Sequence, residues 1–120
     1  IELRKEEMGN NGYTSTRLVT KDRAEWKYAK IEVRAKLPTG KGTWPAIWMM
    51  PASDKYGTWP KSGEIDIMEH IGRLKKHLLF SLHCKNHNHA DKTTIPYTKN
   101  VEYSVDCSDD FHIYAMEWTE

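Results

Sequence analysis

Residues 29–37 constrain this chain more than any other stretch. The odd positions are Ala29, Ile31, Val33, Ala35 and Leu37, and the even ones are Lys30, Glu32, Arg34 and Lys36. Side chains of an extended strand alternate between faces, so the pattern predicts a half-buried strand with one side on a core and the other in water. "LPTGKGTWP" breaks that strand with two glycines and two prolines. "AIWMM" follows, apolar throughout, as in a strand covered on both faces. "PASDKYGTWPKSG" is too polar for a core and reads as a loop. "HLLFSLH" then sets Leu78, Phe80 and Leu82 against His77, Leu79, Ser81 and His83. "CKNHNHADKTTIPYTKN" reads as a polar connection. "FHIYAMEW" sets Phe111, Ile113 and Ala115 against His112, Tyr114, Met116 and Trp118. No helical period competes, and no repeat is present. The predicted class is all-β, a sandwich of two packed antiparallel sheets forming a single domain over 1–120. "IELR" reads as a strand and the chain stops just after "AMEWTE", without turn residues at either end. Open edges would leave backbone unpaired, so the sandwich is expected to be incomplete at both ends.

With 120 residues, 38% apolar and 29% charged, the chain can build one core and not two large ones. Eighteen Lys and Arg nearly balance 17 Asp and Glu, leaving +1. No broad field therefore favours nucleic acid or an anionic membrane, and a neutral or small partner fits better. No apolar run approaches the roughly 20 residues of a membrane-spanning helix. The first residues lack the basic-then-apolar order of a signal peptide, so export is not visible in the residues themselves. Cys84 and Cys107 could pair or stay free, and no CxxC spacing suggests zinc or redox chemistry.

"GEIDIMEH" places Glu64, Asp66 and Glu69 within six residues that are otherwise apolar. Like charges repel, so folding alone gives no reason for this crowding. On a regular strand Glu64 and Asp66 share a face, whereas Glu69, three positions beyond Asp66, points the other way. A β-bulge at Ile67-Met68 would reset the phase and bring all three acids to one face. Two glutamates about 5 to 5.5 Å apart are what retaining glycoside hydrolysis requires, one as nucleophile and one as acid then base. Their pKa values must be pushed apart, and a carboxyl group between them can do so by its charge or a shared proton. The alternative is a solvated acidic face paired with lysines.

"GEIDIMEHIG" resembles the catalytic strand of glycoside hydrolase family 16 in its bulged E-x-D-x-x-E form, found in laminarinases (endo-1,3-β-glucanases). "YTSTRLVT", "YAKIEVRAKLPTGKGTWPAIWMMP", "SLHCKNHNH" and "DFHIYAMEWT" are similar to successive blocks of the same enzymes in the same order. The resemblance implies a concanavalin-like jelly roll roughly twice this length. It implies Glu64 as nucleophile, Glu69 as general acid/base and Asp66 as the assisting carboxylate. Met68 separates the chain from members with the shorter E-x-D-x-E pattern, which favours β-1,3-glucan and leaves mixed-linkage β-1,3-1,4-glucan open. The resemblance further implies a polysaccharide partner, an extracellular, cell-surface or periplasmic location, and a monomer when complete. No cofactor is implied for the reaction. A structural calcium is frequent in the family, but its ligands are not identifiable here.

Sugar rings present apolar C–H faces that pack on aromatic side chains, and five tryptophans are many for this length. Trp44, Trp59 and Trp118 are assigned to a substrate cleft, joined by Trp48, which reads equally well as core; Trp26 is assigned to the core. By resemblance His83 hydrogen-bonds within the carboxylate cluster, and Arg17 matches a position near the glycone subsites, an exposed salt bridge being its alternative. His83, Cys84, His87 and His89 lie within seven residues. His83 and Cys84 point to opposite strand faces, and no second ligand pair completes a tetrahedron, so no metal site is assigned. Two other readings stay open: a non-catalytic glucan-binding module, against which the three aligned acids argue, and a galactanase such as an agarase or carrageenase, which the motif does not exclude.

Overall fold

The structure is a computed structural model that describes residues 1–91, 95 and 97–120. Six strands run in the order β1 (Lys30–Ala35), β2 (Ala46–Met49), β3 (Glu64–Glu69), β4 (His77–His83), β5 (Tyr97–Glu102) and β6 (His112–Glu117). All pairings are antiparallel: β1 pairs with β6, and a four-stranded sheet has the order β2-β3-β4-β5. The described residues contain no α-helix, so none is long and apolar enough to cross a membrane.

The alternation of β1 is realised as predicted, with Ile31, Val33 and Ala35 half-buried, Leu37 buried and the intervening charged residues exposed. Register with β6 sets Val33 opposite Tyr114 and Ile31 opposite Met116, so these form one inner face. That face packs on the back of the larger sheet. Leu37 and Tyr114 join Met68, Leu78 and Cys107 in a single buried cluster, with Ala35, Ile47 and Phe80 against it. Met68 is 1% exposed; truncating such a side chain to alanine costs about 2–5 kcal/mol. In β6 the inward side is the one carrying Tyr114 and Met116, while Ile113 is exposed.

Three expectations are corrected. The stretch expected to be a polar connection contains β5, and its residues 92–94 and 96 lie outside the described ones. β5 is an edge strand with five of its six residues exposed, so no apolar alternation announces it. "IELR" is not a strand: Arg4 bridges Thr14 and Met8 bridges Asn11, a short hairpin turning at the left-handed Gly9. β2 is covered only in part, with Ala46 exposed and Ile47 to Met49 half-buried at the edge of its sheet. Cys84 and Cys107 are both free thiols.

Candidate active site

The acids lie on β3, a central strand of the larger sheet. Opposite β4, Asp66 faces Ser81 and Glu69 faces Leu79, so three steps along β3 match two along β4. Opposite β2, Asp66 faces Trp48 and Met68 faces Ile47, so the unmatched residue there is Ile67. This is the predicted bulge. Ile67 and Met68 are both buried, 3% and 1% exposed. Burying two consecutive apolar residues resets the alternation, and Glu64, Asp66 and Glu69 emerge on the face opposite the core.

On that face each carboxylate has a specific donor. The Trp59 indole N–H donates to Glu64 Oε2 at 2.5 Å, and the Trp44 N–H donates to Glu69 Oε1 at 3.1 Å. His83, opposite Glu64 on β4, places Nε2 3.1 Å from Asp66 Oδ2. Its Nδ1 is buried and has no hydrogen-bond partner among the described residues. An unpaired lone pair is cheaper to bury than an unpaired N–H, which favours the tautomer with the proton on Nε2, donating to Asp66. Asp66 is 6% exposed. Burial first, then the charges of Glu64 and Glu69 and a hydrogen bond with Glu64, push its pKa up to about 7. Asp66 is thus held as a proton store between two glutamates, donating to Glu64 while His83 donates to it. Glu64 accepts from both Asp66 and Trp59. Glu69 has Oε1 occupied by Trp44, which leaves Oε2 to exchange a proton with a ligand. The set therefore places two glutamates on one face, each with one carboxylate oxygen held by an indole N–H and with a raised-pKa aspartate between them.

The loop 51–63 and the turn before β2 position the two tryptophans. Trp44 is 67% exposed, whereas Trp59 is half-buried. Trp48 shares the row with Asp66, Ser81 and Thr98, and the Arg17 guanidinium lies 4.4 Å from its ring centroid. Trp44, Trp48, Trp59, His83 and Arg17 are thus gathered around the acids.

Trp118 shares a cavity with Glu64 and His83. It continues the inner face of β6 and meets Tyr28 edge-on at 5.5 Å. Trp26, Met49, Ile65 and Leu82 line this cavity of about 690 Å³ with them. Trp26, expected in the core, is 49% exposed in that cavity wall, a correction. Its neighbours Glu25 and Lys27 gave no periodicity that could have placed it. Of the clustered residues after β4, Cys84 and His87 close a turn by exchanging backbone hydrogen bonds. His89 instead reaches the acid cluster, packing on Trp59 and His83, a location no strand pattern could announce.

Comparison with known proteins agrees with this geometry. Residues 1–120 match the family described as Glycosyl hydrolases family 16. The chain is 46% identical over 121 residues to a beta-glucanase of Rhodothermus marinus, covering 99% of this chain and 41% of that protein. It is 40% identical over 119 residues to a beta-1,3-glucan-binding protein of Penaeus monodon, covering 92% of this chain and 32% of that one. The X-ray structure of the laminarinase from Rhodothermus marinus superposes with a TM-score of 0.91 at 44% identity, over 99% of this chain and 47% of that one. The chain thus spans less than half the length of each. With residues 1–120 matched by the family and 99% of the chain superposed on a laminarinase, the chain belongs to glycosyl hydrolases family 16.

Proposed function

We propose that this chain carries the catalytic core of a retaining endo-β-glucanase that cleaves β-1,3-linked, or mixed-linkage β-1,3-1,4-linked, glucan. The observation that carries the reading is the bulge that sets Glu64, Asp66 and Glu69 on one face, each with its own donor. Glu64, held by Trp59 and Asp66, attacks the anomeric carbon. Glu69 protonates the departing glycosidic oxygen, and a glycosyl ester forms on Glu64. Glu69, now a base, takes a proton from water, which attacks the same carbon and releases the sugar with its configuration retained. Asp66 holds its proton against Glu64 through the cycle. Two carboxyl groups and water suffice, so the reading needs no cofactor. The polysaccharide substrate places the site of action outside the cytoplasm.

The test is stereochemical. NMR of the products formed from a β-1,3-glucan should show the β-anomer first. Glu64→Gln and Glu69→Gln should each lose activity by several orders of magnitude, with Asp66→Asn hurting less. Azide should rescue Glu64→Gly with an inverted glycosyl azide and Glu69→Gly with a retained one. First appearance of the α-anomer, or swapped azide stereochemistry, would reverse the assignment.

A binding-only reading draws on the Penaeus monodon relative, named for binding β-1,3-glucan. Binding alone has no use for two glutamates aligned by a bulge, which is why we favour hydrolysis. Saturable glucan binding with no reducing ends released would favour the other reading.

A further inference from the structure

The segment after β4 is built to hold one exposed side chain still. Cys84 and His87 exchange two backbone hydrogen bonds of 2.8 and 3.1 Å. Asn88, 2% exposed, donates through Nδ2 to the carbonyls of Cys84 and Lys85, both at 3.2 Å. Its Oδ1 accepts the backbone N–H of Ala90 at 3.0 Å and of Asp91 at 2.9 Å. Such a clamp fixes the residue it encloses, His89. That imidazole lies exposed, its ring centroid 5.0 Å from Trp59 and 5.1 Å from His83, edge-on to the latter. Trp59 holds Glu64 and His83 holds Asp66. His89 is therefore ordered over both residues that hold the acids at this end of the site, Trp59 on Glu64 and His83 on Asp66.

Folding gives no reason for this. An exposed histidine contributes little to a core, and ordering a loop around it costs conformational entropy. We propose that His89 contacts substrate: its ring nitrogen hydrogen-bonds a hydroxyl of the sugar that becomes attached to Glu64, and Asn88 is the positioning residue that keeps it there. The proposal rests on the hydrolase reading above. The residue is exposed, and among the described residues no hydrogen bond engages its ring nitrogens beside the two aromatic contacts. The glycone side follows from location, because His89 stands beyond Trp59 at the Glu64 end of the site, whereas Glu69, which serves the leaving group, lies at the other end of β3.

The experiment compares variants of the intact protein on two substrates: a β-1,3-glucan and an aryl glycoside of a β-1,3-gluco-oligosaccharide, whose leaving group carries no sugar. His89→Ala should lower kcat/KM about tenfold on both, the scale of one neutral hydrogen bond to substrate, with an unchanged unfolding midpoint. His89→Gln, which keeps polar atoms, should recover part of the loss, and His89→Phe, which keeps only ring packing, should not. Asn88→Ala should lose a similar factor, and the double variant Asn88→Ala/His89→Ala no more than His89→Ala alone. Unchanged kinetics, recovery by Phe, a loss confined to the sugar leaving group, or a loss that merely follows lowered stability would each overturn it. Calorimetric affinity for a β-1,3-gluco-oligosaccharide separates the two hypotheses: a tenfold weakening by His89→Ala supports the contact even if Glu64→Gln leaves turnover intact and the hydrolase reading fails.

Discussion

Substituting Gly72 by alanine should cripple the acid/base carboxyl without touching it. Gly72 is buried just beyond β3, where its N–H donates to Thr43 O at 3.0 Å and its carbonyl accepts Gly40 N–H at 3.3 Å. His70 N–H donates to Pro45 O at 3.0 Å, so the 40–45 turn is stitched to the end of β3 on both sides of Trp44. A Cβ on Gly72 would stand 1.9 Å from Thr43 Oγ1 and 2.7 Å from the Gly40 carbonyl oxygen. The hydroxyl can rotate away, but the backbone oxygen cannot, so the turn must lift. Losing the two Gly72 hydrogen bonds costs about 2 kcal/mol at roughly 1 kcal/mol each. Lifting the turn also withdraws the Trp44 N–H from Glu69 Oε1. A hydrogen bond between neutral groups contributes about 0.5–1.5 kcal/mol, so kcat should fall roughly two- to tenfold. Trp44→Phe, which deletes only the N–H, should match that kcat loss with little change in stability. Thr43→Ala should restore part of Gly72→Ala, since it removes the closest contact and leaves the Gly40 oxygen. The assay is kcat on a β-1,3-glucan beside urea unfolding. Wild-type kcat in Gly72→Ala, or in Trp44→Phe, would refute the coupling.

Three further outcomes are expected. Asp66, pushed up to about 7, keeps a proton in the folded state that the unfolded chain releases near pH 4; stability should therefore fall as pH rises from about 4 to 7, by on the order of 4 kcal/mol. Asp66→Asn cannot ionise, so urea unfolding at pH 4 and pH 8 should show that decline flattened; an unchanged slope would place the proton elsewhere. Trp59→Phe removes the donor to Glu64 and should lower kcat about tenfold or more while sparing the fold, read by steady-state kinetics and thermal unfolding. Deleting Ile67 leaves Met68 opposite Ile47 and the acids on one face by simple alternation, so activity should drop without vanishing. A folded Ile67 deletion as inactive as Glu64→Gln would show that the bulge does more than set phase.

Sequence patterns legible here are those in which side-chain chemistry repeats with the backbone. β1 was readable because Lys30, Glu32, Arg34 and Lys36 alternate with apolar residues that meet a core, and the bulge because three acids fit one face only if the phase is reset. β5 was not, because an edge strand can satisfy its backbone with no apolar residue at all, and Tyr97, Thr98, Lys99 and Asn100 have none of the alternation that burial would impose. Trp26 fails for a related reason: tryptophan fills cores and lines cavities alike, and only the position of Trp118 and Met49 across from it decides between them.

Polar residues on β4 carry the sharper lesson. His83 and Ser81 form the hydrophilic half of "HLLFSLH", which alternation alone would turn to water, yet both are buried, at 7% and 5% exposure. They are buried because their partners are polar: Ser81 Oγ lies 2.9 Å from Thr98 Oγ1, and His83 Nε2 lies 3.1 Å from Asp66. Binary patterning sorts side chains into core and solvent, and a catalytic face is neither. It is a polar surface shielded by its own tryptophans and loops, where desolvation raises the Asp66 pKa and strengthens each remaining hydrogen bond. Shielding of that kind comes from the connections that flank the strands, here the turn bearing Trp44, the loop bearing Trp59 and the clamp that holds His89. The acids could be found by their crowding, and Trp44, Trp59 and His83 by composition and resemblance, but which acid each one holds, and the place of His89, followed only from the fold that brought those three segments together.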